Sequence, residues 1–201
     1  MKVGTLCKIE LTTLRPTQAV VGMLEVNDKI KKMKAMTKDE LKGYLREHVA
    51  PIVIGPKSEP YIIDHHHLGY ALLISKTHDE IHAEVVANWK ELEHDDFWDK
   101  MRKKDWAYLS GKSPKHLPAK LHELEDDPYR SLAWLTRESK GFEKVEVPFS
   151  EFKWADFFRT HISIDPSDKH LAKALKHALE LSRSDQAKNL PGYSVPDILK
   201  D

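Results

Sequence analysis

PYIIDHHHLGYALL, residues 60–73, changes its period in the middle. Pro60–Ile63 is a short apolar run with strand composition, whereas Leu68, Ala71, Leu72 and Ser75 recur at helical spacing. The switch falls on Asp64-His65-His66-His67. Asp64 closes the strand where the helix begins, and a carboxylate there can cap the first turn by accepting its N–H bonds. His65, His66 and His67 then occupy that turn, where backbone N–H groups point outward at the positive end of the helix dipole. Such a turn suits an anion, and imidazole donors suit phosphate oxygens. On the residues alone, three uses stay open: a histidine-rich surface turn, a metal site, and a phosphate or nucleotide site. Consecutive residues of a helical turn point about 100° apart, so one ion cannot take all three imidazoles. Asp64 and His65 are the candidate metal ligands, with a distant carboxylate such as Glu25, and no H-E-x-x-H pair accompanies them.

Outward from this stretch, CKIELTTL reads as a strand that RPTQ breaks at Pro16, because proline cannot donate to a ladder. Val26, Ile30 and Met33 mark one face of a helix. TKDELKGYLREHV is a second helix, with Thr37 and Glu40 as a capping box and Leu41, Tyr44, Leu45 and His48 as its stripe. PIVIG is a short strand, and EIHAEVVANW returns to strand period with Ile81, Ala83 and Val85 on one face. The remainder reads as mainly helical. DDFWDKMRKKDWAYL, the segment entered at Asp127-Pro128, SEFKWADFFRTHI and SDKHLAKALKHALELSRS are the helices. Trp134, Trp154, Phe157 and Phe158 read as core. NLPGY near the C-terminus is either a lid that folds back or an exposed tail. The expected organisation is an α+β domain over residues 1–92 and a helical extension over 93–201 that packs on it.

Composition narrows the function classes. There are 32 basic and 32 acidic residues, for a formal net charge of +0, so the basic excess of a nucleic-acid-coating protein is missing. Nucleic acid stays open as a partner but is not favoured. One cysteine, Cys7, excludes an internal disulfide framework and a cysteine-rich zinc module, and it fits a reducing compartment. No apolar run is long enough for a membrane span, and MKVGTLCKIE lacks a signal-peptide core. A cytoplasmic location without membrane contact is the expectation. Histidine is the outlier, with 12 in the chain, six of them between His65 and His94.

The order of LRPTQAVVG, EVNDK, PIVIG, PYIID and DHHHLGYAL resembles the ParB/sulfiredoxin superfamily, most closely the ParB-like nuclease family that carries a D-H-H-H motif. The resemblance covers roughly residues 5–90. It implies a small mixed sheet with helices, and a nucleotide-phosphate site on the Asp64–His67 turn. Members of the superfamily use that turn for CTP, for ATP, or for a nucleotide phosphoryl donor to serine. The paired arginines of the ParB turn are His66 and His67 here, and the sulfiredoxin cysteine is absent from it. Neither partition activity nor sulfinic-acid reduction therefore carries over.

The implied chemistry is phosphoryl transfer, in which a protein mainly positions groups and neutralises charge. Asp64, His65, His66 and His67 form the phosphate turn, and His66 or His67 serves as acid or base. Arg15, Gln18, Glu25 and Lys29 lie in the segment that the resemblance places opposite the turn. It gives Glu25 the role of base. Glu25 and Lys29 also have the spacing of an ordinary surface ion pair. Arg130 is a further phosphate-binding candidate. The expected function is a phosphotransferase or phosphohydrolase acting on a small molecule or nucleotide, with ATP, ADP or CTP and Mg²⁺. Two alternatives stand beside it: a metal-dependent nuclease using Zn²⁺ or Mn²⁺, and a nucleotide-binding module without catalysis.

Overall fold

The structure is a computed structural model that describes residues 1–110, 113–165, 167–168 and 170–194. The chain divides into two compact units. The first comprises Met1–Val21 and Val26–Glu125, the second Gly22–Glu25 and Asp126 onward. The first unit thus takes in residues 93–125, which the sequence assigns to the helical extension.

The first unit is built on a five-stranded mixed sheet. Its strands are β1 (Leu6–Glu10), β2 (Arg15–Pro16), β4 (Ala50–Ile54), β5 (Pro60–Ile62) and β6 (Glu80–Asn88), in the order β1-β6-β4-β5-β2. β1 runs antiparallel to β6, β4 parallel to β6 and antiparallel to β5, and β2 parallel to β5. Two further short strands, β3 (Val20–Val21) and β7 (Glu125–Asp126), lie outside this sheet. Pro16 does not end the sheet, as the sequence suggests. It extends it, with Pro16 opposite Ile62. β2 is an edge strand, where a missing N–H donor costs no ladder bond.

β6 has the alternation its sequence promises, with Ile81, Ala83, Val85 and Ala87 buried between partly exposed positions. Of the helices, α1 (Met23–Ala35) buries Val26 and Met33. α2 (Lys38–Glu47) starts at the expected capping box, in which the Thr37 hydroxyl accepts the Glu40 N–H and the Glu40 carboxylate accepts the Thr37 N–H. α3 (His66–Ser75) is apolar on most sides and buries Leu68, Ala71 and Leu72.

α4 (His94–Lys103) is shorter than the amphipathic pattern, which continues to Leu109. Asp105 takes a left-handed conformation at φ 53°, the Asp105 N–H reaches the Arg102 carbonyl, and the Trp106 N–H reaches back to Met101 at 3.0 Å. This is a Schellman-type stop with aspartate where glycine is usual, so it leaves no glycine signal in the sequence. Phe97, Trp98 and Met101 pack beneath it with Val53, Tyr61 and Ala87.

The second unit is helical, with α5 (Pro128–Glu138), α6 (Ser150–His161) and α7 (Ala172–Ser182) around one core. Asp127 caps α5 by accepting the Tyr129 N–H at 3.0 Å, with Pro128 in the first turn, as the Asp-Pro pair predicts. Trp154 and Phe158 are fully buried, while Trp134 and Phe157 are half-buried. NLPGY is neither a lid nor an exposed tail. Leu190 and Tyr193 pack on the helical core, the Pro191 carbonyl accepts the Trp154 indole N–H at 2.8 Å, and Gly192 pairs with Glu143. The tail beyond Ser194 lies outside the described residues. No helix among the described residues is long and apolar enough to cross a membrane.

Candidate functional site

The strand-to-helix switch at Asp64 forms, but the cap differs from the expected one. His65, not Asp64, is the N-cap residue of α3, in a left-handed conformation at φ 63° and ψ 23°. Histidine is among the residues that enter this region more readily than most, although a side chain there still carries strain. The Asp64 carboxylate accepts the N–H of its neighbour His65 at 2.6 Å, so it braces the bend rather than the first turn. Only His66 and His67 lie in the helix.

The three imidazoles are not equivalent. His65 and His67 are half-buried, and His66 is buried at 3% exposure. The Thr17 N–H donates to His66 Nε2 at 3.1 Å, and the Thr17 hydroxyl donates to the Ile62 carbonyl at 2.9 Å. An acceptor Nε2 requires the neutral ring to carry its proton on Nδ1. Burial pushes the His66 pKa down to about 3; the Asp64 charge works the other way, and His67 and His65 add to the lowering. His66 is therefore a neutral clamp. It ties the segment after β2 to the start of α3, continuing the pairing of Arg15 with Tyr61 and Pro16 with Ile62. The side chain with the most phosphate-like address in the sequence is thus occupied in holding the turn together.

The other candidates of the first unit have varied surroundings. Gln18 is 5% exposed and its amide donates to the Val20 carbonyl at 2.7 Å. Arg15 pairs with Glu59 at 2.5 Å, and Glu59 also accepts the Tyr61 hydroxyl. Burial, then the Glu59 charge, raises the Tyr61 pKa to about 12. Lys29 lies on α1. The remaining two candidates, Glu25 and Arg130, belong to the second unit. Glu25 is in the first turn of α1. Arg130 is 5% exposed, lies 4.1 Å over the Phe152 ring, and gives one N–H to Glu151 at 3.3 Å. Among the described residues, its Nε and Nη1 have no hydrogen-bond partner.

Two residues that the sequence does not mark as site candidates join the turn. Thr17 is one. The other is His48, whose ring lies edge-on to His65 with centres 6.0 Å apart and stacks on Tyr44 at 4.0 Å. His48 Nδ1 donates to the Tyr44 carbonyl at 2.8 Å, which fixes the tautomer and leaves Nε2 as the basic nitrogen. The i, i+4 spacing of Tyr44 and His48 was its only sequence signal. Among the described residues, no group of three or more His, Cys, Asp or Glu side chains is arranged to hold a metal ion.

A family model described as "Putative ParB-like nuclease" matches residues 7–160. The likeness therefore extends well past residue 90 and takes in α5 and nearly all of α6. No curated protein matches the sequence significantly. Among solved structures, the chain is similar to protein Atu1540 from Agrobacterium tumefaciens, with a TM-score of 0.85, 37% identity, and coverage of 96% of this chain and 99% of that one. The match in sequence, together with the mixed sheet and the turn that the motif builds, shows that the chain belongs to the ParB-like nuclease family.

Proposed function

We propose that the start of α3 binds a phosphate group, and that the protein uses it for nucleotide-dependent phosphoryl chemistry on a small molecule, as a phosphotransferase or phosphohydrolase. The observation that carries this reading is the His66 clamp. A buried neutral imidazole, held by the Thr17 N–H, fixes a helix start whose rim carries His65, His67 and His48. A preorganised helix N-terminus ringed by imidazoles has the donor set an anion needs. In this reading His66 positions the turn, and proton transfer falls to His67. The base role of Glu25 and the phosphate contacts of Arg15, Gln18 and Lys29 rest on the superfamily resemblance, and that of Arg130 on the fit of a guanidinium to phosphate.

The donor set fits a nucleotide such as ATP, ADP or CTP better than a protein-caged metal. Mg²⁺ usually binds through substrate phosphates and retained waters, so it needs no three-ligand cage. When bound, it would neutralise charge on the phosphates. Zn²⁺ or Mn²⁺ at Asp64 and His65 would lack a third protein ligand among the described residues.

The test is a thermal-shift panel with ATP, ADP, CTP and GTP, with and without Mg²⁺, on wild type and His65→Gly. Glycine suits φ 63°, so this variant removes an imidazole from the rim without opposing the turn. A nucleotide at 100 times its dissociation constant should stabilise wild type by about 2.7 kcal/mol, and the variant by clearly less. No shift with any nucleotide refutes the reading. The family description favours a second one, phosphodiester cleavage by a nuclease. Metal-dependent cutting of an oligonucleotide, without nucleotide binding, would establish that reading instead. Nucleotide binding without turnover would leave a non-catalytic module.

A further inference from the structure

The first unit carries a column of two stacked indoles, each with a lysine over its ring, that the histidine turn does not use. Trp89, at the end of β6, and Trp106, just after α4, stack with ring centres 5.3 Å apart and planes 16° apart. Lys100 Nζ lies 4.4 Å from the Trp89 ring centre and Lys104 Nζ 6.0 Å from that of Trp106. Both indoles are half-buried, and both lysines are exposed. Beneath them Phe97, Trp98 and Met101 form a buried floor, so the indoles are held by the core.

We propose that this column is a binding surface for single-stranded nucleic acid. Lys100, Arg102, Lys103 and Lys104 put four cations into five positions, and Lys90 follows Trp89 directly. Arg102 is engaged by Asp99, and Lys90 by Glu91 at 3.3 Å. Among the described residues, Lys100, Lys103 and Lys104 have no carboxylate at ion-pair distance. Cations at a helix C-terminus complement its dipole, but that effect requires no paired tryptophans beside them. Both halves of the column have a use in binding an unpaired strand. Phosphates draw the flexible lysines off the rings, and the exposed indole faces then receive bases. A base stacked on an indole gains more than an exposed ammonium over the same ring, so the exchange is favourable. A duplex hides its base faces and is held mainly by charge along a broad face. The formal net charge of +0 and the acidic first turn of α4, Asp95 and Asp96, do not supply one. None of these residues belongs to the histidine turn, so binding here stands or falls separately from hydrolysis there.

The experiment is fluorescence anisotropy of labelled oligo(dT) and oligo(U) of about 20 nucleotides, titrated with the full chain in EDTA at several salt concentrations. The indole emission is followed in parallel with unlabelled strands. Wild type should bind the single strands more tightly than a duplex of equal length or heparin, and binding should quench tryptophan emission. Lys100→Gln/Lys104→Gln changes only exposed side chains, and its fold is checked by circular dichroism. It should bind more weakly, with a salt slope smaller by about 1.4, the loss of two single-strand phosphate contacts. Preference for DNA or RNA follows from the two labelled strands. No binding by wild type, equal affinity for duplex or heparin, or unchanged binding by the folded double variant would each overturn the proposal.

Discussion

His66 should make stability fall with pH in a window where most single histidines matter little. Burial holds its pKa at about 3 in the folded protein, against an ordinary 6.5. Between those values the unfolded chain takes up a proton that the folded chain refuses. The contribution is therefore present in full above pH 6.5 and is lost progressively as pH falls towards 3. Each pH unit inside the window costs about 1.4 kcal/mol. Integrated from pH 8 to pH 5, the loss from this one ring is about 2 kcal/mol. The informative comparison is His66→Gln, whose amide oxygen can still accept the Thr17 N–H but does not titrate. Urea unfolding of both proteins at pH 8 and pH 5, followed by circular dichroism, gives the difference directly. The other titrating groups are common to both proteins and cancel. Wild type should lose about 2 kcal/mol more than the variant over the interval. Parallel losses with unchanged denaturant slopes would mean that His66 protonates in place, and the clamp reasoning would be refuted.

Other expectations follow from single contacts. Thr17→Val keeps the shape of the side chain but removes the hydroxyl that reaches the Ile62 carbonyl, and should cost about 1 kcal/mol in chemical denaturation. Thr37→Ala opens the capping box of α2 and should lower stability by about 1 kcal/mol, read as a lower unfolding midpoint. Gly192→Ala places a methyl group 2.1 Å from the Glu143 carbonyl at a φ of 76°, so the NLPGY segment should detach. Hydrogen exchange at the Glu143 N–H, which bonds the Gly192 carbonyl, should then speed up. Unchanged protection there would show that the tail is docked by other contacts.

Local signals carried most of the fold. The alternation of Ile81, Ala83 and Val85, the Thr37–Glu40 box and the Asp127-Pro128 entry each act within one turn or one strand, and each appears where the pattern puts it. The strand-to-helix switch at Asp64 was legible for the same reason. Element ends were less so. α4 stops at Lys103 because Asp105 turns left-handed, and α3 starts at His66 because His65 does; both residue types tolerate that conformation better than most but adopt it in only a minority of cases. Pro16 looks like a break because its missing donor is a local property, whereas its tolerance depends on lying at a sheet edge.

The sequence by itself determined that three histidines meet a helix start, and that the chain has the order of elements of its family. It could not rank the three imidazoles. Burial and partner decide what a histidine does, and both come from chain segments far apart: Thr17 is 49 residues from His66. Only the tertiary structure turned the central histidine into a neutral clamp and brought His48 to the rim beside His65. The physical reason is that a side chain's titration and hydrogen bonding depend on desolvation and contact, which the chain acquires only when its distant parts pack.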